Sequence, residues 1–352
     1  MAGRGDYVSA KPVTPERRPS LHDIAHAADV SVSTVSRFVN GQLALKPDTE
    51  SRVRAAMDSL GYAGTARPNR VRSIRTGVIG LIVPSVGNMY FGRIAESIVA
   101  VAESQGLSVL TASTHSHSRK ERDYVDLLAE RSVDALIYAG NHTSNPSLSR
   151  LIASGLPVVV IDEALVDTPP VDTVLVDDYA GAYQAVAHLA SLGHKRIALV
   201  AGPPRLRSVG ERTRGYTDAL MKAGIDPAAQ IQLTGAFSED FGVGAVSHLL
   251  SADEPPTAVF AASDLIALGI MTGASNLGLS IPRDLSIVGF DDIPVAGRVT
   301  PRLTTVRTPV ERMASAAIAM IIERLDAPTR SAQLSVVPVA LVLGDTVARP
   351  SA

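Results

Sequence analysis

The sequence predicts an α/β protein built from a small all-helical head, a short hinge and a larger body of two lobes. Three amphipathic segments follow one another within the first 62 residues. From Val78 onward, short apolar runs alternate with longer amphipathic runs, which is the pattern of strands and helices in parallel sheets. The 352 residues, 46% of them hydrophobic and 19% charged, suffice for two or three domains with ordinary cores.

The head is predicted to contain three short helices. The first covers Leu21–Ala28, and its apolar residues share one face. Ser31 offers an N-cap hydroxyl to a second helix, Val32–Val39, which ends at Asn40-Gly41. A third helix begins near Pro47, a residue suited to the first helical position. Three short helices around so small a core are typical of a DNA-binding head.

The second of these helices carries small hydroxyls and one cation, Arg37, on its surface. That composition suits the floor of a DNA groove better than a protein core, although a generic three-helix bundle is the alternative interpretation. Residues 1–76 hold 12 Lys/Arg against 7 Asp/Glu, while the remainder holds 21 against 28. A basic head on an acidic body predicts that only the head meets a polyanion.

The body is predicted to alternate strands with helices in two lobes, because about 270 residues of this pattern are large for one sheet. The predicted strands are Val78–Val83, Ser108–Thr111, Ala135–Tyr138, Val158–Ile161, Ile197–Ala201, Ala258–Ala261 and Ile287–Gly289. The predicted helices are Gly92–Gln105, Arg119–Arg131, Tyr179–Ser191, Arg212–Ala223, Phe241–Leu250, Leu265–Leu277 and Val310–Leu325.

Polar residues follow several of these strands. Asp162 follows Val158–Ile161, Ser263 follows Ala258–Ala261, and Asp291 follows the strand that ends at Gly289. Ligands of open α/β sheets sit beyond the carboxyl ends of the strands. A cleft between two lobes that collects such groups is predicted to bind a small hydroxylated ligand.

Two neighbouring acids have a simpler interpretation, since an acid after a strand often caps the next helix. Asp264 is interpreted as such an N-cap, and Asp292 partly so. Arg212 is predicted to begin a helix, where a cation is disfavoured by the helix dipole, and this favours a ligand role for it.

Several classes of protein are not indicated. The chain has no Cys, no run of about 18–20 apolar residues and no apolar stretch in its polar, basic first 20 residues. It has no phosphate-loop, dinucleotide-binding or HExxH motif, and His115 and His117 lack nearby acids or thiols to complete a metal site. We therefore predict no metal, no cofactor, no catalytic residue and no membrane association, and a cytoplasmic location.

Two runs of the head are characteristic, LHDIAHAADVSVSTVSRFVNG (Leu21–Gly41) and RVRAAMDSLGY (Arg52–Tyr62). Three runs of the body are equally so: GHKRIALVAGP (Gly193–Pro203), SIVGFDD (Ser286–Asp292) and RLTTVRTPV (Arg302–Val310). By these runs the chain resembles the LacI/GalR repressor family of transcriptional regulators. The resemblance covers nearly the whole chain after the first residues, and it implies a body with the fold of periplasmic sugar-binding proteins.

The resemblance also implies how the head meets DNA. Val32, Ser33 and Arg37 occupy positions that read base edges in the family, and Ser31, Thr34 and Asn40 lie near phosphates. The chain departs from the family at two positions. Asp29 replaces a turn Gly, which the tolerance of Asp for left-handed backbone permits. Lys46 replaces a capping Ser before Pro47.

The hinge, residues 63–76, is rich in Arg, Gly and Pro. The resemblance implies a short helix that forms on DNA and inserts an apolar side chain between base pairs. Val71 occupies the wedge position, with Ile74 as the competing candidate. Pro68 lies inside this segment and costs about 3 kcal/mol in a helix interior, so a helix starting near Arg67 and a plain flexible tether both stay open.

In the body, the resemblance implies an effector site. Arg212 matches the effector-binding Arg of the family and Asp291 its effector-binding acid. The further pocket positions are Asn88, Tyr90, Asp162, Phe237 and Ser263.

Together these observations predict a sequence-specific repressor whose operator affinity is controlled by a small ligand, most simply a sugar or sugar derivative. One helix-turn-helix reads a half-site, so we expect a homodimer on a palindromic operator. The predicted domains are a disordered tail (1–19), the helix-turn-helix (20–62), the hinge (63–76) and an effector-binding, dimerising body (77–347). The competing hypotheses are a transporter's solute-binding protein, which has no use for the head, and a sugar-metabolising enzyme, for which no catalytic constellation is found.

Overall fold

A computed structural model describes residues 20–39, 43, 45–60, 75–130 and 133–350. The chain divides into two compact units, residues 1–75 and 76–352, which we describe separately. Several sequence predictions lie outside the described residues: the tail 1–19, Asn40, the hinge up to residue 74, and both wedge candidates, Val71 and Ile74. They remain predictions.

The head contains the three predicted helices, α1 (Leu21–Ala28), α2 (Val32–Val39) and α3 (Pro47–Ser59). Ser20 caps α1 through a reciprocal capping box with Asp23. Asp29 adopts left-handed backbone (φ 52°), which is how the turn forms without the usual glycine. A small core buries the side chains of Ile24, Ala25, Ala28, Val35, Val39, Val53 and Ala56.

The body contains two six-stranded sheets. The strands are β1 (Val78–Val83), β2 (Ser108–Ser113), β3 (Ala135–Tyr138), β4 (Val158–Ile161), β5 (Asp172–Val176), β6 (Ile197–Ala201), β7 (Gln232–Thr234), β8 (Ala258–Ala261), β9 (Ser286–Asp291), β10 (Thr304–Arg307), β11 (Leu334–Val337) and β12 (Ala340–Val342). The helices are α4 (Met89–Ser104), α5 (Ser118–Glu130), α6 (Pro146–Ala153), α7 (Asp178–Ser191), α8 (Arg207–Lys222), α9 (Glu239–Leu250), α10 (Asp264–Asn276) and α11 (Val310–Asp326).

Each sheet and its helices form one lobe. The first lobe has the strand order β11-β5-β4-β3-β1-β2 and contains α4, α5, α6 and α11. The second lobe has the order β12-β10-β9-β8-β6-β7 and contains α7 to α10. All neighbouring strands are parallel except β10 and β12. Helices therefore cover the faces of both sheets, as parallel pairing requires.

The chain passes between the lobes three times: from β5 to α7, from β10 to α11, and from β11 to β12. Neither lobe is a continuous stretch of sequence. The three passages leave the carboxyl ends of β1, β3 and β4 in the first lobe close to those of β6, β8 and β9 in the second, since residues after these strands line one cavity.

The structure corrects three details of the sequence prediction. Helix α8 begins at Arg207, five residues before the predicted start, so Arg212 lies in its second turn and the dipole argument for Arg212 is wrong. Asp264 is the first residue of α10 and does not cap it; Ser263 does. The last strand before the Asp291-Asp292 pair includes Asp291 as its final residue. The elements β5, β7, β10, β11, β12 and α6 were not predicted.

Candidate functional site

Helix α2 presents the polar residues that the sequence singled out in the head. Ser31, Ser33 and Arg37 are exposed, while Val32 and Thr34 are half-buried. The Ser31 hydroxyl accepts a hydrogen bond from the Thr34 backbone N–H (3.1 Å) and so caps the helix. It also lies 2.8 Å from the Ser33 hydroxyl and 2.7 Å from that of Thr34. These hydroxyl contacts all lie within the N-terminal turn of α2.

In the body, the seven residues predicted for the effector site line a single cavity between the lobes: Asn88, Tyr90, Asp162, Phe237, Ser263, Asp291 and Arg212. They lie at or after the carboxyl ends of five strands, β1, β4, β7, β8 and β9, and in α8. Their convergence is an observation about geometry, and their role as ligand contacts remains a prediction.

Arg212 lies at the centre of a buried ionic cluster. Its Nε donates to Asp178 Oδ1 (2.8 Å), its Nη1 donates to the Ala262 carbonyl (2.5 Å), and the guanidinium stacks 3.7 Å from the centre of the Phe290 ring. Arg207 donates to the other oxygen of Asp178 (2.5 Å). Burial alone would lower the pKa of Arg212, but the carboxylates of Asp178 and Asp291 raise it, so the guanidinium stays charged.

Two strand-end aspartates hold left-handed backbone beside this cation. Asp162 has φ 75° and Asp291 has φ 115°. Such angles in non-glycine residues persist where the surrounding structure enforces them, and they concentrate at functional sites. The Tyr90 hydroxyl donates to Asp162 Oδ1.

The Asp291 carboxylate is the group that is most open to a new partner. Within the described residues it accepts no hydrogen bond, and its ionic neighbour is Arg212 Nη1 at 3.8 Å. The residue is 7% exposed. Burial raises the pKa of Asp291 well above its usual range, although Arg212 opposes this shift. A ligand that donates hydrogen bonds would relieve this desolvation.

Three more of the predicted residues also support the local structure. Asn88 caps α4 by accepting from the Tyr90 N–H (2.9 Å), and Ser263 caps α10 by accepting from the Ile266 N–H (3.3 Å). The Phe237 ring lies on Gly202, where a Cβ would come within 2.2 Å of it. A side chain at Gly202 would therefore displace the ring from the cavity wall.

Asp264 and Asp292, by contrast, are structural. Asp264 accepts hydrogen bonds from Thr305 Oγ1 (2.5 Å) and from the Ile293 N–H (2.8 Å), and it tethers β10 and the chain after β9. Asp292 pairs with Arg307 Nε (2.6 Å) and does not line the cavity.

Sequence reasoning missed six lining residues: Phe91, Asn141, Glu163, Leu206, Ser208 and Leu265. Glu163 directly follows Asp162 in the run Ile-Asp-Glu, and that position was the available signal. Ser208 was missed because α8 was predicted to begin after it.

A second, larger cavity of about 540 Å³ lies at the amino ends of β6 and β8, lined among others by His194, Lys195 and Arg196. By volume alone, this cavity would be a better candidate for the ligand site than the inter-lobe cavity of about 40 Å³. Its position at the amino ends of parallel strands argues against it, because ligands of such sheets bind beyond the carboxyl ends.

The described residues contain neither a metal-binding cluster nor a membrane-spanning helix. No cluster of three or more His, Asp or Glu side chains is placed to hold a metal ion there, so His115 and His117 stand without completing ligands. No described helix is long and apolar enough to span a membrane.

Comparison with known proteins gives two matching families. Residues 20–64 match the lacI family of bacterial regulatory proteins, and residues 186–347 match the periplasmic binding protein-like domain. The first match covers the three helices of the head, and the second covers most of the second lobe.

Individual relatives match over most of their length. The transcriptional regulator MalR of Streptomyces coelicolor is 35% identical over 94% of this chain and 97% of its own. The transcriptional regulator DegA of Bacillus subtilis is 32% identical over 84% and 88%.

Among solved structures, the transcriptional regulator CelR in complex with cellobiose superposes with a TM-score of 0.72, at 29% identity, over 94% of this chain and 100% of the other. A LacI-family regulator from Enterococcus faecium with bound ribose superposes with a TM-score of 0.71, at 29% identity, over 78% of this chain and 100% of the other.

Proposed function

This chain belongs to the LacI family of bacterial regulatory proteins, and we propose that it acts as a repressor whose operator affinity is set by a sugar or sugar derivative bound between its two lobes. It is a DNA-binding transcriptional regulator with a ligand-binding body, and not an enzyme. The repressor role, the nature of the ligand and the residues that contact each partner are the proposed part.

The observation that carries the effector proposal is the inter-lobe cavity. It joins one guanidinium, Arg212, to the carboxylates of Asp162 and Asp291 and to the aromatic rings of Tyr90 and Phe237. A guanidinium fork and carboxylates together suit a ring of hydroxyl groups, which donate and accept, and an aromatic ring suits an apolar sugar face. Two similar regulators carry cellobiose and ribose in their structures.

The same groups disfavour an anionic effector. Asp162, Glu163 and Asp291 all line the cavity, and Arg212 is already paired with Asp178. A phosphorylated ligand would add negative charge beside three buried acids. A neutral ligand avoids that repulsion.

For the head, we propose that α2 enters the major groove, with Val32, Ser33 and Arg37 at base edges and Ser31, Thr34 and Asn40 near phosphates. Val71 is proposed as a minor-groove wedge. A homodimer would place two such helices on a palindromic site. Exposed small hydroxyls beside a single Arg support this orientation, since they let the helix approach the groove floor closely.

The effector proposal is tested by calorimetry with cellobiose, ribose, a purine base and a sugar phosphate on the full chain. We expect a neutral sugar to bind and to shift affinity for a DNA site selected from a random pool. Because control requires different affinity for two arrangements of the lobes, the DNA must change sugar affinity by the same factor. Binding of the purine or the sugar phosphate alone would refute the proposed ligand class.

A matched pair of variants tests the site itself. Asp291→Asn removes the carboxylate that faces the cavity, and Asp292→Asn removes its neighbour, which faces Arg307 instead. We expect D291N to lose sugar binding and its effect on DNA while ligand-free DNA binding stays near wild type. D292N should retain both. Equal effects of the two variants would contradict the assignment of Asp291.

DNA binding by the head is tested by gel shift over a range of salt concentrations, together with sedimentation of the complex. A steep decrease of affinity with salt and a complex of two chains per site are expected. A single chain bound per site at micromolar concentration would refute the dimer.

A further inference from the structure

Helix α8 begins without a capping side chain of its own. Its N-cap residue is Leu206, whose side chain makes no capping bond. Other helices of the body carry local caps at this position: Asn88, Asn145, Asp177, Ser238 and Ser263. An uncapped helix start leaves backbone N–H groups that need another acceptor.

Glu163 supplies that acceptor. Its Oε2 accepts from the Arg207 N–H (3.0 Å) and from the Ser208 N–H (3.4 Å), and its Oε1 accepts from the Ser208 hydroxyl. A carboxylate at a helix N-terminus also interacts favourably with the helix dipole. Glu163 is 4% exposed, so this contact is sheltered from water.

The cap connects the two lobes. Glu163 lies two residues after β4 of the first lobe, whereas α8 packs on α7 and β6 of the second. A second polar bridge between the lobes is the bond from Arg93 of α4 to the Asp292 carbonyl (2.8 Å). Separation of the lobes would break both and would leave the first turn of α8 uncapped.

The site is too small for a sugar in this arrangement of the lobes. The cavity of about 40 Å³ holds roughly three water molecules at about 10–15 Å³ each, which is far less than a sugar ring needs. The contacts that hold the lobes together therefore control access to the site.

We propose that Glu163 is a latch that caps α8 across the cleft and thereby holds the lobes closed. It is a positioning residue for the effector site. The proposal concerns closure of the chain by itself, so its test needs no effector and is independent of the sugar proposed above.

The charge of Glu163 sets a direction for its pH dependence. Burial and the neighbouring Asp162 raise the pKa of Glu163 to about 7; Asp178 at the start of α7 adds to this, while the Ser208 hydrogen bond and Arg207 oppose it. A protonated Glu163 keeps the cap, because its carbonyl oxygen accepts from the Arg207 N–H and its O–H donates to Ser208 Oγ.

When the lobes open, Glu163 meets water and its pKa returns toward its ordinary value near 4.3. At a pH between these two pKa values, Glu163 therefore takes up a proton when the lobes close. The ratio of closed to open molecules therefore rises about tenfold when the pH falls from 8 to 6.

The experiment uses two measurements on the full, ligand-free chain. Hydrogen exchange follows the Arg207 and Ser208 amides. Spin labels follow the width of the cleft, on the exposed positions Ser144→Cys in the first lobe and Arg298→Cys, after β9, in the second, diluted into unlabelled chains. The chain has no native Cys, so only these positions react. The matched control is Ser238→Ala, which removes the local cap of α9 within the second lobe.

We expect Glu163→Ala to speed exchange at Arg207 and Ser208 about tenfold, the effect of losing a cap, and to lengthen the label distance. S238A should affect only the first turn of α9. Glu163→Gln imitates the protonated carboxyl, so at pH 8 it should show the distance that the wild type shows at pH 6, with a much smaller change between those pH values. E163Q also preserves side-chain volume if E163A proves unstable.

Two results would overturn the latch. One is faster exchange in E163A with an unchanged label distance, which would make Glu163 a local cap only. The other is a label distance in E163Q that varies with pH as the wild type does.

Discussion

The head and the inter-lobe cleft both present polar groups to a proposed partner, but they hold them in opposite ways. In the head, Ser31, Ser33 and Arg37 are exposed, and the contacts of the two serines are with each other and with the next turn of α2. In the cleft, Arg212 and Asp178 are buried and bonded to one another. In the head, the groups proposed to contact DNA lie on the surface and support little of the fold. In the cleft, the groups around the proposed ligand site are themselves part of the buried contacts that stabilise the body.

This difference predicts which substitutions change binding alone and which change both binding and stability. Removing an exposed group from the head should reduce DNA binding and leave folding intact, because little else depends on it. Removing a buried ion from the cleft should reduce both ligand binding and the stability of the body, since it leaves its partner charged and desolvated.

The largest expected effect is on the stability of the body. Asp178→Ala leaves Arg212 and Arg207 without their shared carboxylate in a buried site, and breaking a buried pair in this way costs about 3–5 kcal/mol. Glu50→Ala breaks an exposed pair with Arg54 in the head and should cost under about 1 kcal/mol. Urea unfolding measures the loss of unfolding free energy in each variant. Similar losses in the two variants would contradict the proposed difference between the head and the cleft.

A smaller effect, on binding alone, is expected in the head. Arg37→Ala should cost about 1–3 kcal/mol in affinity for the selected operator and relax its sequence preference, which is typical of a bidentate base contact. Unfolding of the head should be unchanged, because Arg37 is exposed. Uniform weakening on every DNA sequence would instead make Arg37 a phosphate contact.

The third prediction concerns a buried acid that is structural. Burial raises the pKa of Asp264 to about 7, although Thr305 and the Ile293 N–H oppose the shift. The unfolded carboxyl titrates near 3.9, so the folded state binds more protons between these values and stability falls as the pH rises through them.

Asp264→Asn removes this charge and keeps both hydrogen bonds, with the amide donating to Thr305. It should stabilise the body at pH 8 by at least about 1.4 kcal/mol, the equivalent of one pKa unit. Unfolding curves at pH 5 and pH 8 should lie closer together for D264N than for the wild type. A destabilised D264N at pH 8 would show that the ionised form is preferred.

The sequence predicts most of this architecture because its signals are local. The three helices of the head were predicted with their observed starts, since Ser31 and Pro47 stand at helix starts and mark them in the sequence. The seven cleft residues were assigned by position after strands or by resemblance, and the structure brings them to one cavity. Helix α6 was overlooked although Asn145 and Pro146 are standard start signals.

What the sequence could not predict depends on contacts between distant residues. The start of α8 was placed five residues late because its cap, Glu163, lies 44 residues before Arg207 and in the other lobe. The three passages between the lobes cannot be read from periodicity, and the short strands β11 and β12 beside one of them were missed for the same reason. Asp264 was taken for a cap because its partners Thr305 and Ile293 are far along the chain.

The smallest predicted effect separates two neighbouring serines of α2. Ser31 caps the helix through the Thr34 N–H, whereas Ser33 bonds only to the Ser31 hydroxyl within the described residues. Ser31→Ala should therefore cost about 1 kcal/mol of head stability, as loss of an N-cap does, and also weaken DNA binding. Ser33→Ala should weaken DNA binding while stability changes by less than about 0.5 kcal/mol. Thermal unfolding and gel shifts of the same two preparations separate these outcomes. If Ser33→Ala destabilised the head as much as Ser31→Ala does, even this exposed helix would couple recognition to folding, and the contrast with the cleft would be one of degree.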